Sequence, residues 1–170
     1  MGRILKFKTD PGHYRADFCL VSCFDKRFYK LTDELISQFF SGLSFDLVRI
    51  AGGAKWLASD DEVKRNFLLD EIKTSCRLHG TKKVVLTLHL DCGAYGGSAA
   101  FQGDSEKEIE HHRAALKRAA ALVSETLPGV GVECFLLGFE GASEVIWNQI
   151  TESDDKTEEE NDRFSALSIA

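Results

Sequence analysis

The chain has 170 residues, 44% of them hydrophobic and 28% charged, a balance that suits one globular domain with a sizeable core. Its net charge of −6 is uneven: residues 151–170 hold seven acids and two bases, leaving residues 1–150 close to neutral. There is no basic stripe for a nucleic-acid partner, and no apolar run approaches the roughly 20 residues of a membrane span. The first ten residues alternate basic and apolar side chains without a signal-peptide core. The five cysteines are odd in number, and their spacing suggests no disulfide framework. A cytoplasmic, reducing home is expected, with the cysteines serving as core residues or metal ligands.

Residues 3–8, Arg-Ile-Leu-Lys-Phe-Lys, alternate weakly and suit an edge strand or an arm, which Pro11-Gly12 breaks. Residues 16–22 read as a first buried strand that opens into the polar loop Cys23-Phe24-Asp25-Lys26-Arg27. Thr32 is a good N-cap, with Glu34 in the first turn, for a helix carrying Leu35, Ile36, Phe39 and Phe40 at helical spacing. Gly42 ends it, and Phe39-Phe40 offers apolar surface. Residues 45–50 form a second strand leading to Ala51-Gly52-Gly53, which reads as a structural turn.

Ser59 or Asp60 caps a second helix that runs to about Leu78, with Val63, Phe67, Leu68, Ile72 and Cys76 as its apolar face and Gly80 as its stop. Residues 82–88 are the third strand. Ser105 caps a third helix to about Leu127, where Pro128-Gly129 ends it. His111-His112 falls among Glu, Lys and Arg and reads as a solvated face. Residues 132–139 are a fourth strand, and residues 144–147 a short fifth one joined as an antiparallel hairpin.

The order β-α-β-α-β-α-β-β predicts an α/β fold: a mostly parallel sheet of four or five strands flanked by helices, with the last strand antiparallel. Residues 1–150 make a single domain. Residues 151–170 lack the apolar content to pack and form an acidic, solvated tail expected to be disordered, with docking of Phe164 to Ile169 on a partner as the alternative.

Chemistry concentrates where the third strand ends, in Leu88-His89-Leu90-Asp91-Cys92-Gly93-Ala94. An imidazole and a thiol three residues apart are borderline-soft donors that suit zinc. Strand ends that open into Gly-rich loops are where open α/β sheets place ligands. Cys23 ends the first strand. In a parallel sheet these ends share one edge, so Cys23, His89 and Cys92 converge if the two strands are neighbours. A Cys2His set is a catalytic zinc pattern when the fourth position stays open. Asp25 is placed to occupy that position or to accept a hydrogen bond from a zinc-bound water, and Arg27 to pair with Asp25 and hold it off the metal. Cys19, Cys76 and Cys134 read as core. Gly96-Gly97 lacks the residues that complete a phosphate loop.

Cys23-x-Asp25-x-Arg27, then Arg49-Ile50-Ala51-Gly52, then His89-x-x-Cys92-Gly93 resembles the β-class carbonic anhydrases over residues 16–147. Lys26 stands where that family usually has Ser, and Ile50 where it usually has Asn. The resemblance implies zinc held by Cys23, His89 and Cys92, an Asp25–Arg27 dyad, and a main-chain contact to substrate near Gly93. It implies reversible hydration of carbon dioxide to bicarbonate by a metal-bound hydroxide, in a homodimer or higher homo-oligomer. Two other readings stay open: hydrolysis of another small linear substrate, such as carbon disulfide or carbonyl sulfide, and a non-catalytic structural or sensory zinc centre with Asp25 as permanent fourth ligand. A weaker one is metal-free thiol redox chemistry between Cys23 and Cys92.

Overall fold

The computed structural model describes residues 7–148. The acidic tail and most of the N-terminal arm lie outside them; Phe7 and Lys8 are in no regular element. Five strands make one sheet: β1 (Phe18–Cys23), β2 (Phe45–Ile50), β3 (Lys83–His89), β4 (Gly131–Leu137) and β5 (Ala142–Glu144). Their order is β2-β1-β3-β4-β5. The pairs β1–β2, β1–β3 and β3–β4 are parallel, and β4–β5 is antiparallel. The expected fold class therefore stands.

The pleat sorts the side chains. Phe18, Leu20, Val85, Phe135 and Leu137 face α1 (Tyr29–Phe39) and pack with its Leu31 and Leu35. Cys19, Val21, Val84, Leu86, Cys134 and Leu136 face the other way, against α2 (Glu62–His79) and α3 (Ser105–Thr126). A strand covered on both faces needs near-continuous apolar residues, which β1 and β3 have. Cys19 and Cys134 are core, and Cys76 packs at the core's margin, as expected.

Several element boundaries differ from the sequence expectation. Thr32 does not cap α1. A 3-10 turn over Lys26–Phe28, capped by the Asp25 carboxylate, carries the chain into the helix earlier. Thr32 lies inside it, with its hydroxyl bonded back to the Phe28 carbonyl at 2.7 Å. Phe40 is buried under the sheet, so only Phe39 of that pair offers surface. Helix α2 is capped by Asp61. Its Val63 and Phe67 point to solvent, because a 3-10 segment, Gly53–Ala58, supplies Ala54 and Leu57 to the core that this face was expected to fill. Asp104, one residue before Ser105, caps α3 by accepting two backbone N–H bonds. β5 starts two residues earlier than expected, because the reversal is tighter: the Gly138 N–H donates to the Gly141 carbonyl at 2.7 Å. His112 is fully buried, contrary to the expected solvated face. It lies on the stripe of α3 that carries Ala115, Leu116 and Ala119 into the core.

Candidate metal centre

Cys23 is the last residue of β1 and His89 the last of β3. Because the two strands are parallel neighbours, these ends meet at one sheet edge. The turn Leu90-Asp91 then brings Cys92 back to the same place. The ligand atoms of Cys23, His89 and Cys92 all lie within 4.8 Å of one another. Cys92 and His89 are buried, and Cys23 is half-buried.

The glycine turn after β2 presses on this edge. Gly52 has φ +80°, and its N–H donates to Cys23 Sγ at 3.3 Å. A Cβ on Gly53 would stand 2.8 Å from the Thr87 carbonyl and 2.9 Å from the Cys23 nitrogen, so only glycine fits there. The turn is structural, as expected, and it also supplies a donor to a metal-ligating type of sulfur.

The donors are set for a cation. His89 Nδ1 lies 2.8 Å from the Leu90 carbonyl, which can only accept, so Nδ1 carries the hydrogen. The bare Nε2 is buried with no hydrogen-bond partner in the protein. The Cys92 thiol beside it draws the pKa of Cys23 down to about 4 against the effect of burial, with help from His89 and the Gly52 N–H. The proton stays on Cys92, whose own pKa is raised by the Cys23 thiolate and then by burial. Burial pushes the His89 pKa down, but Cys23, the Leu90 carbonyl and Asp25 together outweigh it and the net shift is upward. Two sulfurs and an orphaned imidazole nitrogen in a cation-favouring field fit zinc.

Beside the cluster, Arg27 clamps Asp25. Its Nε reaches both carboxylate oxygens at 3.1 and 3.0 Å, and one Nη reaches Oδ2 at 2.6 Å. This side-chain pairing holds the Asp25 carboxyl at about 2. Asp25 Oδ2 stands 4.0 Å from His89 Nε2. Phe28 stacks on the His89 ring at 4.4 Å and touches Phe139 at 5.4 Å. The guanidinium of Arg27 lies over both of those phenylalanines. Gly93 is exposed and opens a 3-10 turn directly after Cys92.

The structure thus brings Cys23, His89, Cys92, Asp25 and Arg27 into one place, with Gly93 at its rim. Sequence reasoning missed three further groups. Asp91 takes two bonds from Arg27 while its backbone sits in the left-handed region, φ +53°. The buried Glu108 accepts the Asp91 N–H at 2.6 Å. Lys55, packed over Trp56 and Tyr95, donates to the Ala94 carbonyl. Glu108 had a signal: with His112, Leu116 and Ala119 it continues the buried stripe of α3 backward.

Comparison with known proteins places this geometry. Residues 15–146 match the family model described as "Putative carbonic anhydrase". An uncharacterized protein of Rickettsia conorii is 30% identical over 152 residues, 85% of this chain and 82% of that one. Among solved structures, β-carbonic anhydrase isoform I of Trichomonas vaginalis superposes with a TM-score of 0.56 at 14% identity, covering 83% of this chain and 88% of that one. A tetrameric β-carbonic anhydrase of Sordaria macrospora gives 0.51 at 12% identity, covering 78% and 81%. At such identities the two structures speak for the fold, and the family match, which spans most of the chain, carries the assignment. The chain belongs to the putative carbonic anhydrase family and is a divergent β-carbonic-anhydrase-like protein.

Proposed function

We propose that the protein is a zinc-dependent carbonic anhydrase that interconverts carbon dioxide and bicarbonate. The observation that carries this reading is the buried, unpartnered Nε2 of His89 facing two cysteine sulfurs within 4.8 Å, with a clamped carboxylate 4.0 Å away. Cys23, His89 and Cys92 would hold the metal. Zinc in such a set supplies the Lewis acidity that makes water a nucleophile near neutral pH.

The remaining work falls to the chain. Asp25, kept ionised by Arg27, is an acceptor only, so it takes a hydrogen bond from the nucleophile and turns a lone pair toward the substrate carbon. Arg27 keeps that carboxylate from moving onto the metal. Phe28 shields the His89 face from water. The exposed main chain at Gly93 offers a contact to a substrate oxygen. Free cysteines throughout the described residues and the thiol pair at the centre suit a reducing, cytoplasmic setting. No helix among the described residues is long and apolar enough to cross a membrane.

A second reading has its own support: the 4.0 Å approach of Asp25 to His89 Nε2 is short enough for the carboxylate to become a fourth ligand once Arg27 lets go. The protein would then be a closed zinc centre. Zinc content of protein purified without added metal, followed by stopped-flow hydration of carbon dioxide, tests both. Bound zinc with hydration supports the enzyme, bound zinc without hydration favours the closed centre, and no zinc overturns both.

A further inference from the structure

Among the described residues, Glu108 is the one acid that is buried, 3% exposed. A carboxylate is expensive to bury, so what it bonds to carries information. Oε1 of Glu108 accepts the backbone N–H of Asp91 at 2.6 Å, and His112 Nε2 lies 3.3 Å from the same oxygen. Asp91 is one of two non-glycine described residues with positive φ, at +53°. Its side chain is committed on both oxygens, Oδ1 accepting the Ser98 N–H at 2.9 Å and Oδ2 pairing with Arg27 at 2.7 Å. Its carbonyl accepts a second Arg27 bond at 2.9 Å. One uncommon backbone conformation thus aims both a carboxylate and a carbonyl at one guanidinium. Such outliers persist where surrounding groups over-determine them, and they cluster at functional sites.

We propose that Glu108 is a positioning residue for the Asp25–Arg27 pair, acting from α3 through the left-handed Asp91 turn. The proposal rests on the carbonic anhydrase reading. Glu108 pins the Asp91 peptide. Asp91 then fixes one edge of the Arg27 guanidinium, and Arg27 with its other edge holds Asp25 away from the metal. The connected path runs from the third helix to the first loop, and none of its hydrogen bonds is made by the side chains of Cys23, His89 or Cys92. Glu108 neither donates a proton nor meets substrate. Losing it frees the turn, and with it the orientation of Arg27.

The test uses the full-length protein with Glu108→Ala, Glu108→Gln, Asp91→Ala, Arg27→Ala and the Glu108→Ala/Arg27→Ala pair. Each is loaded with zinc for hydration kinetics and with cobalt(II) for its visible spectrum, which reads what occupies the fourth position. Expected is a fall of kcat by about 10- to 100-fold in Glu108→Ala, with metal content unchanged and the cobalt spectrum altered as in Arg27→Ala. Glu108→Gln, which keeps an acceptor oxygen, restores most of the loss. On the Arg27→Ala background the Glu108 change costs less than about twofold, because the two act along one path. A folded Glu108→Ala with wild-type kcat and spectrum overturns the proposal, as does an equal loss on both backgrounds. If Glu108→Ala does not fold, Asp91→Ala decides: a wild-type spectrum there overturns it. If the wild-type protein hydrates no carbon dioxide, the enzyme reading fails while the cobalt spectra still settle whether Glu108 governs Asp25.

Discussion

Arg27 Nη1 lies 2.7 Å from the carboxylate of Asp91, a residue 64 positions away in the chain. The contact joins the loop after β1 to the loop after β3, just beyond the strand ends that carry Cys23 and His89. Arg27 is therefore held from two sides: Asp25 grips it from its own turn and Asp91 from the neighbouring one. A guanidinium fixed at both edges presents Asp25 in one orientation, which is what a bidentate arginine does better than a lysine.

Replacing Arg27 with Ala should abolish most hydration activity, by about 100-fold, while zinc stays near one equivalent per chain. The three donors are untouched, and the ion pair is partly exposed, at 45% for Arg27, so stability should fall by less than about 1 kcal/mol. Paired activity and metal analysis reads this directly. Wild-type activity would refute the role of the dyad, and loss of zinc would mean that Arg27 holds the loop's shape instead.

Cys92→Ser should lose zinc. Two remaining donors rarely hold the metal tightly, and a serine hydroxyl is a poor replacement for a thiolate. Elemental analysis after dialysis against a mild chelator is the measurement. Full occupancy in the variant would remove Cys92 from the ligand set.

The protein should be a dimer or larger. Phe24, Phe39 and Phe139 are 58%, 50% and 65% exposed, apolar surface that a second copy of the chain would cover. Light scattering at micromolar concentration checks it, and a monomer would count against the assembly.

How far the sequence could be read depended on whether a signal was local. Alternating apolar runs and helical stripes placed the order of the elements, and Cys23, His89 and Cys92 could be placed on one edge because strand ends in a parallel sheet share it. α1 starts before Thr32 because the Asp25 carboxylate also caps the 3-10 turn that leads into the helix. Val63 and Phe67 fit the helical period yet face solvent, since the preceding segment Gly53–Ala58 already supplies Ala54 and Leu57 to the core. The bond between Asp91 and Glu108 was illegible for a different reason, although the stripe of α3 marks Glu108 as buried. Their link is a backbone N–H bonded to a side chain 17 residues on, and neither residue type announces such a bond.

Gly53→Ala should destabilise the fold by about 3 kcal/mol. The new methyl would meet the Thr87 carbonyl and the Ser22–Cys23 backbone at 2.8 to 3.0 Å, and φ is +51°. Backbone atoms in two central strands have little freedom to retreat. Gly103→Ala is the control: it shares the positive φ, +74°, but has open space around the methyl. It should cost only about 1 kcal/mol. Equal losses in urea denaturation would show that backbone strain alone matters, and that the close approach beside Cys23 does not.

The last expectation concerns pH. His112 is fully buried among Tyr95, Phe101 and His111, and neither ring nitrogen has a hydrogen-bond partner. Burial, then the nearby His111 and His89, holds its pKa down at about 4, against an ordinary 6.5. Glu108 Oε1 is 3.3 Å from Nε2 without a hydrogen bond between them, and the net shift stays downward because burial leads it. The unfolded chain therefore binds a proton on this ring at a higher pH than the folded one does. Between about 6.5 and 4 the unfolded state gains that proton first, and stability falls as pH falls through this window. Above it the ring is neutral in both states and adds no pH dependence, and below it both states are protonated and the loss is complete. The loss amounts to about 3 kcal/mol. His112→Leu removes the titrating group while keeping an apolar side chain in the space. The difference in unfolding free energy between wild type and variant should then change by about 3 kcal/mol from pH 7 to pH 4, with the wild type losing more. Urea titrations at four or five pH values measure it. A difference that stays flat across the window would mean that folded and unfolded states bind this proton equally, with Glu108 offsetting the burial.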